Sequence, residues 1–240
     1  MPIGVICNAL AIVIGGLIGA GSGDRLSAEF KETLNLIFGV SSMAIGITSI
    51  VLMQNMPAVI LSIILGTIIG MATHLGKHIE HAGLRLEKGI SRLTGGKSEG
   101  ADSALLVTTI VLFCSSGTGI YGSIVSGMSG DHSILIAKSI LDLFTAMIFA
   151  CSLGVVVSAI ALPQFVIFMI LFSLARLIFP LTTDSMIADF KACGGIIMLA
   201  TGFRIAKIRA YPIADMIPAM LLVWPVSALW TNYIVPLLAH

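Results

Sequence analysis

The chain has 240 residues, of which 57% are hydrophobic and only 10% charged, where soluble domains carry roughly 25% charged residues. A water-facing surface cannot be built from so few charges. The net charge of +1 comes without a long acidic or basic run, which leaves no footprint for nucleic acid or an acidic partner.

Apolar runs of about 20 residues, the length a helix needs to cross the hydrocarbon core, recur along the chain. The expected fold class is therefore all-α, a polytopic membrane protein forming one integral membrane domain over 1–240. Hydropathy and the Gly, Pro and charge punctuation predict eight transmembrane helices, at 3–22, 34–53, 57–76, 104–127, 133–160, 163–181, 192–208 and 213–237. The first, MPIGVICNALAIVIGGLIGAGSG, lacks a basic leader and reads as a retained span rather than a cleaved signal. It carries Asn8, which is placed to bond a neighbouring helix or to line a pathway. Gly15, Gly19 and Gly23 in the first span, like Gly66 and Gly70 in the third, form small-residue steps that allow close helix contact. Such contacts serve one chain or a homo-oligomer equally well.

At the end of the third span His74, His78 and His81 share a helical face. An interfacial polar face is the favoured reading over metal binding. The polar segment 77–102 follows, with Leu75, Ile79, Leu86, Ile90 and Leu93 near helical spacing and TGGKSEG closing it. It reads as a cytoplasmic amphipathic helix at the membrane surface.

The fourth span contains FCSSGTGIYGSIVSGMSGD (113–131). Gly117, Gly119 and Gly122 weaken a helix there, while Ser115, Ser116, Thr118 and Ser123 supply hydroxyls. Interrupted backbone is tolerated in a membrane only where protein or a wet cavity satisfies it. One reading is a broken helix lining a solute site; the other is a small-residue packing face. The fifth span places Lys138 and Asp142 four residues apart on one face. Ionisable groups at membrane depth pair and face the interior or a water path, so these two are candidates for binding a substrate or a coupling ion, or form a static pair. Asp131 and His132 read as a helix start. Arg176, near the end of the sixth span, reads as snorkelling to the interface. Cys7, Cys114, Cys151 and Cys193 lie in apolar stretches without ligand spacing and read as reduced packing residues.

Basic residues set the orientation. With the amino terminus outside, ten of thirteen Lys and Arg fall in cytoplasmic loops: Arg25, Lys31, Lys77, Arg85, Lys88, Arg92, Lys97, Arg204, Lys207 and Arg209. Lys191 falls in an outside loop. Both termini are expected outside the cell's inner membrane.

An internal repeat bears on architecture. SGDRLSAEFK (22–31) aligns with TTDSMIADFK (182–191), and NMPAVIL (55–61) with DMIPAML (215–221). Spans one to three would then match six to eight in inverted orientation around spans four and five.

GVICNALAIVIGGLIG, FC followed by a Gly/Ser-rich turn and YGSI, GMSGDHSILIAKSILDLFTAMIFACSLGVVVSAI, and DMIPAML together resemble the bacterial membrane family catalogued as domain of unknown function 554. The resemblance covers essentially the whole chain. It implies a multi-span inner-membrane protein of a kind suspected of transport, with no established substrate. The family pattern has Gly-Ser/Pro-Met after FC, where this chain has SSGTG. It also has Gly after the Gln at the start of the sixth span, where this chain has Gln164-Phe165.

No Walker loop, GxSxG elbow, dinucleotide fingerprint or HExxH helix occurs, so neither enzyme chemistry nor a cofactor is expected. The leading expectation is a secondary transporter or channel for a small polar or ionic solute, a small organic anion moved with protons or sodium. Its site would be built from span four, Lys138 and Asp142, and the crossings of spans one and six. The alternative is a non-transporting scaffold or sensor that docks a cytoplasmic partner through 77–102. Transport requires a polar route to Lys138 and Asp142, whereas a scaffold leaves them sealed together.

Overall fold

A computed structural model describes residues 1–22, 27–94 and 101–238. Among them every regular element is helical: α1 (Ile3–Ser22), α2 (Ala28–Ile50), α3 (Met56–Ala72), α4 (Leu75–Thr94), α5 (Ala101–Cys114), α6 (Gly117–Ser129), α7 (Ser133–Leu153), α8 (Val156–Ala159), α9 (Ala161–Ile178), α10 (Asp184–Ile205), α11 (Ile213–Met216), α12 (Ala219–Leu229) and α13 (Val235–Leu238). Among the described residues seven segments are long and apolar enough to span a membrane, and eight if Met56–Ala72 and Leu75–Arg92, bent by 59° where they meet, are counted as one span. The polytopic all-α class is thus correct. Arg25, Lys97 and most of TGGKSEG lie outside the described residues, as does Asp24 of the first repeat copy.

Several boundaries move, each for a local reason. The fourth span breaks in two at Ser115 and Ser116, where the Ser116 side chain caps α6 by accepting from Gly119 N. The fifth ends at Leu153 instead of 160, because Gly154 turns the chain with φ 76°, a region open to glycine. The sixth begins at Val156, since Pro163 stands in the first turn of α9, where its missing N–H costs nothing. The seventh begins at Asp184, capped by Thr183, rather than at 192. Its marker sequence, Lys191 included, therefore belongs to the helix and not to a loop.

The chain forms two compact units. Unit 1 comprises Met1–Ile37 and Lys77–Leu177; unit 2 comprises Phe38–Gly76 and Ile178–His240. In unit 1, α1 and α7 lie side by side. Gly4 meets Leu135, Gly15 meets Leu143 and Ala146, and Gly19 meets Met147, so residue numbers rise together and the two helices run in parallel. A second apolar cluster joins Ile90 of α4 to Leu106, Ile110 and Phe113 of α5. The apolar side of α4 is thus packed inside its own unit.

In unit 2, α2 crosses α10 antiparallel, Gly46 against Gly195 and Gly39 against Gly202, with Ser42 Oγ donating to Met198 O. α3 crosses the last span antiparallel, Gly66 against Ala219 and Gly70 against Asp215. These directions fit alternating membrane crossings. Unit 1 holds spans one, four, five and six and unit 2 most of span two with three, seven and eight, a grouping that the exchange of one to three with six to eight leaves unchanged. Residues paired by the proposed repeat nevertheless differ in setting: Glu29 and Phe30 are exposed, while Asp189 and Phe190 are buried.

At Gly15 and Gly19 an added Cβ would lie 2.1 and 2.2 Å from the carbonyl oxygens of Leu143 and Met147. Gly15→Ala and Gly19→Ala are expected to cost about 1–3 kcal/mol by forcing α1 off α7. Gly21→Ala, with nothing within 4 Å, should leave thermal unfolding in detergent unchanged.

Candidate functional site: a buried polar chain across three helices

The site is built on α7, whose sequence SILIAKSILDLFTAMIFACSL sets Lys138 and Asp142 one turn apart on the side packed into unit 1. Both are buried, their side chains 4% and 9% exposed. Lys138 Nζ donates to Asp142 Oδ2 at 2.5 Å, and Asn8 Nδ2 of α1 donates to the same oxygen at 2.8 Å. Asn8 Oδ1 then accepts from Gln164 Nε2 of α9. An ionised carboxylate only accepts, so Asn8 must turn its NH₂ to Asp142 and its carbonyl to Gln164. The direction of the whole chain is thereby fixed by the charge on Asp142.

The chain does not close. Gln164, fully buried, has its Oε1 without a hydrogen-bond partner among the described residues, and such an atom costs about 1–3 kcal/mol. At the other end, the Lys138 ammonium lies 5.9 Å from the Phe113 ring and 6.0 Å from the Phe168 ring, a favourable cation–π setting. Gly119 makes room for both: a Cβ there would stand 2.8 Å from Lys138 Cε and 2.2 Å from Phe168 Cζ.

The structure thus joins Asn8, Lys138 and Asp142 directly and brings Gly119 against the lysine stem. The other residues of the broken span stand at its edge. Ser116 caps α6, Ser123 Oγ donates to Gly119 O at 2.7 Å, and Gly122 rests on Ile134 and Leu135. Thr118 is buried, Ser115 is half-buried and Gly117 opens α6. Asp131 takes the Ser133 N–H at the start of α7, and His132 Nδ1 lies 2.6 Å from Ser126 Oγ. Arg176 is exposed over Phe172. His74, His78 and His81 are all exposed. No cluster able to hold a metal occurs among the described residues, and the four cysteines are free thiols.

Two polar residues escape the sequence reading. Gln164 stood at the supposed edge of a span and is two turns inside it. Asp189, read as part of a loop, is fully buried in unit 2. Its Oδ1 accepts from Gln54 N at 2.9 Å and Asn55 N at 2.8 Å, its Oδ2 from Asn55 Nδ2 at 2.8 Å and Ser227 Oγ at 2.6 Å. Four donors satisfy this carboxylate, and it ties the α2–α3 turn to α10 and α12.

The family described as Protein of unknown function (DUF554) matches residues 3–228. The chain belongs to this family. It is 46% identical over 236 residues to the uncharacterized protein YqgA of Escherichia coli (strain K12), covering 97% of this chain and 99% of that one. It is 25% identical over 225 residues to the uncharacterized membrane protein YdfK of Bacillus subtilis (strain 168), covering 91% and 93%. No solved structure matches. The DUF554 chain described here is accordingly a multi-pass membrane protein in contact with lipid.

Removing one partner of a buried ion pair strands the other. Lys138→Ala is expected to destabilise the protein by about 3–5 kcal/mol, and the double variant Lys138→Met/Asp142→Leu by less than the single one. Thermal unfolding of the two in detergent measures the difference.

Proposed function

We propose that this protein is a secondary transporter, or a channel of similar build, for a small polar or ionic solute, with a small organic anion coupled to protons or sodium as the first candidate. The observation that carries the reading is the open end of the polar chain. A network that only held α1, α7 and α9 together would satisfy all its members, whereas here a chain that begins at a buried ammonium ends on a fully buried carbonyl oxygen without a partner among the described residues.

Two further features support it. The site lies midway along α7, on a span whose neighbour is broken into α5 and α6. Lys138 and Asp142 neutralise each other, so the unliganded site carries no net charge through the hydrocarbon. The pair is nearly sealed in this conformation, the arrangement expected of a scaffold, so transport requires a second conformation that opens a polar route to it. Docking of a cytoplasmic partner through 77–102 has less support, since Gly83 and Ile90 of α4 already face Val107, Val111 and Leu106 of α5.

In this reading the protein sits in the inner membrane with both termini outside, works without a cofactor, and performs no covalent chemistry. Purified protein in liposomes should accumulate one or more members of a panel of labelled small carboxylates under an imposed proton or sodium gradient. Asp142→Asn and Lys138→Ala should each abolish gradient-driven uptake. Unchanged flux in both variants would show that this site is not the pathway.

A further inference from the structure

We infer that the outward side of α4 is a docking surface for the headgroups of anionic phospholipids, held by Lys77, Arg85, Lys88 and Arg92. The inference stands apart from the transport reading and uses none of its residues.

No run of basic residues occurs in 75–94, but the helix gathers those that are there. At 3.6 residues per turn, Lys77, His78, His81, Arg85, Lys88 and Arg92 fall within an arc of about 100°, a stripe about 22 Å long. All six are exposed. The opposite side of the helix is occupied: Gly83 rests on Val107 and Val111, and Ile90 clusters with Leu106 and Ile110 of α5. The stripe therefore points away from the contact with α5.

Acidic residues keep out of the arc. Glu80 and Glu87 lie on the flank between it and the packed side, and Glu87 is buried, accepting from Ser91 Oγ at 3.2 Å. None of Lys77, Arg85, Lys88 and Arg92 has a carboxylate four residues away in either direction. Lys88 instead has Arg85 and Arg92 as its neighbours one turn away, and like charges so placed work against a helix. Among the described residues none of the four makes an ion pair. The enrichment of Lys and Arg in cytoplasmic loops accounts for their number here but not for their gathering on one side. An anionic surface accounts for both, because it offsets the mutual repulsion and meets all four charges at once.

Two observations favour lipid over a soluble partner. α4 follows the apolar helix α3 after two residues and a bend of 59°, and the next apolar span begins at Leu105, so the stripe is tethered at both ends to the bilayer surface. Leu84, 40% exposed, borders the stripe beside Lys77 and Lys88; acyl chains accept such a group, whereas an acidic soluble protein leaves it in water. In the orientation expected from the basic residues, the headgroups are those of the cytoplasmic leaflet.

The test uses the full chain in phosphatidylcholine vesicles that carry a trace of spin-labelled phosphatidylglycerol or spin-labelled phosphatidylcholine. The fraction of each label immobilised by the protein is read from the electron-spin-resonance spectrum. The wild type should favour phosphatidylglycerol by about fivefold or more, the factor that one basic residue at an anionic surface contributes. The preference should shrink as salt is raised, since exposed charges are screened. Lys77→Gln/Arg85→Gln/Lys88→Gln/Arg92→Gln should bring it close to one, whereas Arg204→Gln/Arg209→Gln, which removes charge elsewhere, should keep it. Absence of a preference in the wild type overturns the inference, and is the result expected if an acidic protein is the true occupant. A preference that survives the fourfold variant, or is lost equally in the Arg204/Arg209 variant, overturns it as well. Should the fourfold variant fail to fold, the wild type alone decides. A phosphatidylglycerol with a photoreactive headgroup should then cross-link to peptides from 75–94, and labelling confined to other segments overturns the assignment to α4.

Discussion

The carboxylate of Asp142 is the constraint on which unit 1 depends. A charge inside a bilayer must be neutralised and hydrogen-bonded or it excludes the helix that bears it. Lys138 provides the neutralisation from the same face of α7, and Asn8 provides the hydrogen bond from α1. That second bond requires α1 to lie against α7, and Gly15 and Gly19 permit the approach by leaving no side chain between the backbones. The polar pair and the glycine stripe are thus one design, since close contact brings a short Asn within reach of a buried Asp.

The broken fourth span belongs to the same design. A continuous helix with ordinary side chains would fill the volume that the lysine stem and Phe168 occupy. Gly119 vacates it, and the break one turn earlier is satisfied locally by Ser116. Unit 2 solves a similar problem differently. There Asp189 is a hub with four donors, none of them cationic, and nothing in it is left open. The contrast between a closed carboxylate in one unit and an open chain in the other is the reason the proposed site is assigned to unit 1.

Much of this was legible in the sequence. Low charge and repeated apolar runs fix the membrane class, and Lys138 with Asp142 at one-turn spacing in an apolar span marks the buried ion pair on which the candidate site is built. Asn8 is a conspicuous amide in a run of Ile, Val and Gly. Gln164 was harder, because Pro163 reads as a boundary when only hydropathy is followed, yet proline is also at home in a helix's first turn. Asp189 was missed because a stretch with Thr, Asp, Ser and Lys reads as a loop, and only its tertiary donors make burial affordable. Orientation of the amides, and hence the open end at Gln164, depends on which atoms meet in space and has no trace in the sequence.

The most direct measurement is gradient-driven uptake of a labelled small carboxylate into liposomes by the wild type and by Asp142→Asn, each first shown to be folded by thermal unfolding. Uptake by the wild type that the variant loses is the predicted result. Equal uptake by two folded proteins would contradict the assignment of the pathway to Asp142.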